Sequence, residues 1–246
     1  MPAHNDPSLS RTDWSLLGHL HSGDQARESD ALDRLIRRYW PAVYAFIRRT
    51  GRDVHASADL TQAFVADVLI GRRLMHEADR NRGRFRSFLM QSLRNFLHEQ
   101  HRHATRAKRA PSTQAIVALE EQRVPGDASA EGSPEEAFDA AWCRELIMRV
   151  LRTVSDACKR DGLEDHWAVF DARVVQPMLT GAVPPDNAIL AARLDLPSAV
   201  HASNLLVTVK RRFAQALRKE ISRTVRNPAD VDDELRELLG FLGRRK

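Results

Sequence analysis

Apolar side chains recur along this chain at the helical period, and the alternating pattern of a half-buried strand is nearly absent. Between Asp30 and Thr50, Leu32, Leu35, Ile36, Tyr39, Val43, Phe46 and Ile47 fall on one side of a helix. Pro41 lies inside it and is expected to kink or split it, and Gly51 ends it. Ser57 or Asp59 is expected to cap a second helix, DLTQAFVADVL, whose apolar face holds Leu60, Phe64, Val68 and Leu69. A charged loop bounded by Gly71 and Gly83 follows. From Arg82 to Arg109 a long helix carries a stripe of Phe85, Phe88, Leu89, Ser92, Leu93, Phe96 and Leu97.

After Ala110 the pattern stops, and Pro, Gly, Ser, Ala and acids dominate, including Glu120, Glu121, Asp127 and Glu131. This composition predicts a flexible linker. Its acids keep it solvated, and they are also suited to shield a basic surface. Helical periodicity resumes near Pro134 with Phe138, Trp142, Leu146, Val150 and Val154, then with Trp167, Phe170, Val174 and Val175. Pro184 and Pro185 break the chain. A short helix, NAILAARLD, then leads through the four residues Asp195–Ser198 into a longer one that hides Ala202, Leu206, Val209, Phe213 and Leu217. The end, NPADVDDELRELLGFLG, is amphipathic through Val231, Leu235, Leu238 and Leu242. The expected fold is therefore all-α: two small helical domains at residues 12–108 and 135–227, joined by a linker at 109–134 and followed by a tail at 228–246.

Composition supports packed cores, with 43% hydrophobic residues, and adds a basic balance of 38 Lys and Arg against 33 Asp and Glu. The distribution of charge is more informative than the total. Arg84, Arg86, Arg94 and Arg102 decorate the helix after Arg82, with Asn95 and His98 among them, and Glu99 is its single acid. Such a face suits a polyanion, although a merely solvated surface gives the same pattern. In the helix after the four-residue turn, Ser198, His201, Ser203, Asn204, Thr208, Lys210, Arg211 and Arg212 are expected outside. A helix fits the major groove, short polar side chains near its start reach base edges, and the basic end suits phosphates. An ordinary helical hairpin with a charged end is the competing reading. The helix DLTQAFVADVL offers Asp59, Gln62 and Asp67 to solvent, a face able to dock a basic partner.

No motif for catalysis stands out, so an enzyme is not expected and no cofactor is implied. His98, His101 and His103 lack the spacing and the further ligand of a metal site. Cys143 and Cys158 are too far apart for a metal pair and read as reduced thiols. No apolar run reaches membrane-spanning length and the N-terminus lacks the pattern of a secretory signal, so a cytoplasmic location without membrane contact is expected.

Taken together, YWPAVYAFIRR, ADLTQAFVADVL, DRNRGRFRSFLMQSLRNFLHEQHRH and NPADVDDELRELL resemble a sigma factor of the extracytoplasmic-function type, within the sigma-70 family. The resemblance covers most of the chain, from Thr12 to about Leu239. It implies a transcription initiation factor that binds core RNA polymerase and directs it to promoter DNA. Asp59, Gln62 and Asp67 would dock on the polymerase. The loop Gly71–Arg84 would accept an extruded base. Arg84, Arg86, Arg94, Asn95, His98 and Arg102 would hold the melted minus-ten strand. The helix from Ser198 would read the minus-thirty-five duplex. Phe85 and Phe88, able in principle to stack on bases, are assigned to the core. Control by a separate anti-sigma protein is one option the resemblance leaves open. Asp195 stands where such turns often carry glycine, and Ser203, Asn204 and Thr208 replace part of the usual basic set. A divergent promoter or weakened duplex binding would follow. The alternative is a helix-turn-helix regulator that binds duplex DNA without polymerase; tight binding to free core polymerase separates the two.

Overall fold

A computed structural model describes residues 22–70, 84–109, 132–225 and 227–243. The loop Gly71–Gly83, most of the linker and the residues before Ser22 lie outside the described residues. The fold is helical, and no strand occurs among the described residues.

The first helix, α1 (Gln25–Arg49), starts earlier than periodicity suggested. The Asp24 side chain accepts from the backbone N–H groups of Ala26 and Arg27 at 3.1 and 3.3 Å, which satisfies two of the free donors at the helix start. Pro41 removes one hydrogen bond but neither splits nor ends the helix. Tyr39, Ala42, Val43, Phe46 and Ile47 on both sides of it are buried, and this packing outweighs the proline. The second helix, α2 (Val54–Phe64), is capped by Asp53, whose carboxylate accepts from Ala56 N at 2.7 Å. Neither Ser57 nor Asp59 caps it, as had been expected: Ser57 is buried one turn inside. A wider π-helical turn, Val65–Ile70, extends α2. The long helix α3 (Phe85–Arg109) and α4 (Pro134–Arg160) follow.

Beyond α4 come α5 (Glu164–Phe170), a π-helical turn Asp171–Val175, and α6 (Gln176–Thr180), which ends at left-handed Gly181. The remaining elements are α7 (Asn187–Arg193), α8 (Ala199–Ser222), a 3-10 turn at Pro228–Asp230 and α9 (Val231–Gly243).

The chain divides into two compact units, but not at the expected linker. The first unit takes Met1–Glu145 together with Ile221–Lys246, and the second takes Leu146–Glu220. The physical reason is the aromatic core of the first unit. Trp142 of α4 stacks on Tyr39 at 4.7 Å between centroids and lies 6.3 Å from Phe85, while Phe138 meets Phe46 edge-on at 6.4 Å. Burying these five rings together commits the start of α4 to α1 and α3.

The tail, read from the sequence as an amphipathic helix, belongs to the first unit. Val231 and Leu238 of α9 are buried, Glu234 is fully buried, and the Cys143 thiol of α4 lies 3.8 Å from the Leu238 carbonyl. Within the first unit, Phe85 N–H donates to Thr224 O at 2.7 Å, which supplies a partner at the start of α3. The second unit has its own core of Val150, Val154, Cys158, Val169, Phe170, Leu190, Leu205, Leu206 and Val209.

Candidate nucleic-acid interface

On α2, Asp59, Gln62 and Asp67 are all exposed, on the side away from buried Thr61, Phe64 and Val68. The spacing puts Asp59 and Gln62 one turn apart. The π-helical turn, with one more residue in its hydrogen-bonded loop, sets the direction of Asp67. Among the described residues neither carboxylate has an ion-pair partner, and both are exposed to an external donor.

The predicted set on α3 separates into two groups. Asn95, His98 and Arg102 are exposed. Gln91 joins them, donating from Nε2 to Asn95 Oδ1 at 3.0 Å. Residues 91, 95, 98 and 102 follow the i, i+4, i+7, i+11 rule and form one polar stripe. Gln91 belongs to the same polar decoration but was not singled out in the sequence.

Arg84, Arg86 and Arg94 are engaged inside the chain instead. Arg86 is 5% exposed and faces three carboxylates. Its guanidinium forks onto Glu234, with Nε at 2.9 Å and Nη2 at 3.4 Å, reaches Asp139 at 2.5 Å, and bonds Glu237. It also lies over the Phe241 ring at 5.4 Å. Arg84 pairs with Glu234 at 3.2 Å and with Glu237. The expectation that Arg86 meets DNA is corrected here: a cation out of water among three acids is a structural group. Burial alone disfavours its charge, but Glu234 and Asp139 more than offset this and hold its pKa above the usual arginine value. Burial raises the Asp139 carboxyl, Arg86 draws it back, and Glu234 and Glu237 push it up again.

Arg94 is partly exposed and donates to Glu135 from Nε at 3.1 Å and Nη2 at 2.8 Å. Glu135 is held below the ordinary carboxylate range, first by its own backbone N–H and then, against some burial, by Arg94. An acid just past the linker thus lies on a predicted DNA-binding arginine. Phe85 and Phe88 are core side chains, at 0% and 4% exposure.

In the second unit, α7 and α8 meet through a tight turn. Leu196 N–H donates to Ala191 O at 2.8 Å, and Asp195 between them is left-handed at φ 52°. This is a six-to-one helix stop of the kind that usually uses glycine. Ser198 opens α8: its Oγ accepts from His201 N at 3.1 Å. Leu190 and Ala191 of α7, with Ala202, Leu205 and Leu206 of α8, are buried, which fixes the rotation of α8 about its axis.

His201, Asn204, Lys210 and Arg211 are exposed as predicted. Ser203 is turned inward; its hydroxyl receives Asn187 Nδ2 at 2.6 Å and donates to Ala199 O, so it locks α7 to α8 and is not free for a base. Thr208 bonds Asn204 O, and Arg212 pairs with Asp161, which raises its pKa. Val200 and Val207, which sequence reasoning did not list, stand exposed on the same face as Asn204.

Among the described residues no group of three or more His, Cys, Asp or Glu side chains is placed to hold a metal ion, and no helix is long and apolar enough to cross a membrane. Comparison with known protein families, characterised proteins and solved structures finds no match. What the fold and its faces define is an all-α protein with two polar helix faces in its first unit and a tight two-helix turn in its second.

Proposed function

We propose that the chain is a transcription initiation factor of the sigma type, which binds core RNA polymerase, helps open promoter DNA at the minus-ten region and reads the minus-thirty-five duplex. The observation that carries this reading is the pair of faces in the first unit: exposed Asp59, Gln62 and Asp67 along α2 and its π-helical turn, and the Gln91–Asn95–His98–Arg102 stripe on α3. The first suits a basic protein surface. The second offers amides, an imidazole and a cation, the groups that hold splayed bases and neutralise their phosphates. Helix-turn-helix geometry at α7–α8 supplies a duplex reader. Opening DNA in this way needs no covalent chemistry, so the protein has no active site of its own. It acts in the cytoplasm, where polymerase and promoters are.

One observation favours the second reading, a duplex-DNA regulator acting without polymerase. With Arg84, Arg86 and Arg94 held by intrachain acids, the α3 face is less basic than the sequence suggested. The test is run-off transcription from a library of promoter fragments with purified core polymerase, with and without the chain. Transcripts that depend on the chain support the initiation role. If there are no transcripts and no competition for core polymerase, that role is refuted and the regulator reading takes its place.

A further inference from the structure

The outer face of α8 is not the uniformly basic surface that a phosphate-tracking helix would show. Val200 is 69% exposed and Val207 46% exposed, each amid polar neighbours. Valine left in water on a helix surface is unremarkable singly. Here the two are in register with the groups that would enter a groove. Positions 200, 204, 207 and 211 fall within about 60° of one another around the helix. They form one stripe: apolar, amide, apolar, cation. From Val200 to Val207 the stripe spans about 10 Å, or roughly three base-pair steps at about 3.4 Å each.

Its surroundings fit a polyanion. From Ala199 to Lys219 the helix contains no acid, and Arg193, His201, Lys210 and Arg211 are exposed around the stripe. In the sequence the acid next before the helix is Asp195, in the turn, while Asp161 from outside the helix pairs with Arg212. The stripe cannot rotate away, because Ala202, Leu205, Leu206 and Val209 are buried on the opposite side and Asn187 is bonded to Ser203.

We infer that this stripe selects A·T base pairs in the major groove: Val200 and Val207 against thymine C5-methyl groups, Asn204 on an adenine between them, and Arg211 on the phosphate where the helix leaves the groove. The thymine methyl is the one apolar group on the major-groove edge, and an asparagine amide matches adenine N6 and N7 in pairs. A G·C pair beneath either valine would set a cytosine amino group or guanine acceptors against a methyl surface and leave them without partners. This inference rests on the duplex-reading role proposed for α7–α8 and adds the base preference.

The experiment is selection of random duplexes by the full chain, alone and with core RNA polymerase, followed by binding measurements in which deoxyuridine replaces thymine at each selected position. Removing one contacted methyl should weaken binding by about fourfold, the effect of one methylene-sized apolar group. Val207→Ala should bind the thymine duplex as weakly as the wild type binds the deoxyuridine duplex, and should no longer distinguish the two. Val200→Ala should behave likewise at a second thymine about three steps away. Asn204→Ala should relax the choice of adenine by roughly tenfold. Both valines are exposed, so the variants keep the core intact. Selected duplexes with G·C pairs at these positions, or equal binding of thymine and deoxyuridine duplexes, would overturn the base preference and leave the duplex role standing. If the chain retains no duplex in either condition, even at low salt, the duplex role fails and the inference with it.

Discussion

Replacing Arg86 by methionine tests the corrected assignment most sharply. Methionine keeps most of the side-chain bulk beside Phe241 but leaves Asp139 and buried Glu234 without their shared cation. Removing one partner of a buried pair costs about 3–5 kcal/mol. Arg84 still reaches Glu234 at 3.2 Å, so the lower end, about 3 kcal/mol, is expected. The assay is built into the chain. It has two cysteines, Cys143 buried beneath α9 and Cys158 buried in the core of the second unit. Burial pushes the Cys143 thiol up to about 12 and also raises Cys158, so neither reacts until its surroundings open. Labelling with a thiol reagent, read by peptide mapping, then reports each unit separately. In Arg86→Met, Cys143 should react about a hundredfold faster, since each 1.4 kcal/mol is a factor of about ten, while Cys158 keeps its rate.

The pH dependence carries a second check. Asp139 already has a raised pKa, and loss of Arg86 removes what draws it down. A carboxyl with a folded pKa above its unfolded value favours the fold when protonated, and that contribution is lost as pH rises through the folded pKa. Lowering the pH from neutrality should therefore slow Cys143 labelling in the variant, after correction for thiolate fraction. Less than about a tenfold increase in labelling, with no such recovery, would show that Arg86 is not a structural cation and would return it to the list of DNA contacts.

Asp195→Gly should be more stable than Asp195→Ala by about 1 kcal/mol, because only glycine adopts the left-handed stop without cost; slower Cys158 labelling in the glycine variant checks this. Asp59→Arg with Gln62→Ala should weaken competition for core polymerase while both cysteines label at wild-type rates; equal competition would refute the docking face. Asn95→Ala with Arg102→Ala should impair promoter opening at least tenfold in a fluorescence assay of open complexes. Arg94→Ala, whose guanidinium is shared with Glu135, should impair it by less.

Local signals were legible, and their partners were not. The helical period found α1, α3, α4 and α9 and put Phe85, Phe88 and Leu93 in the core, because an apolar stripe has only one place to go. The left-handed turn at Asp195 was anticipated only through the resemblance, where such turns often carry glycine. Arg86 was misread because its acids lie 53, 148 and 151 residues away in the chain, a separation that no local pattern encodes. Ser203 and Thr208 look outward on an ideal helix, but burial of Leu205 beside Leu206 turns α8 so that Val200 and Val207 take the exposed side. Composition placed a boundary between residues 109 and 134. Packing placed it after Glu145, because a composition shift marks where the backbone lacks a pattern and not where the next helix chooses its neighbours.

The return of α9 to the first unit has a consequence for how the protein is made. Glu234 and Leu238 leave the ribosome long after Ala31 and Leu35, yet they are buried in the same compact unit. At about 5–20 residues per second, synthesis holds that first core open for roughly ten seconds or more. Any product cut short before Val231 keeps Arg86 without Glu234 and keeps Cys143 uncovered. Only a chain read through α9 can therefore shut the first unit over Arg86 and Cys143.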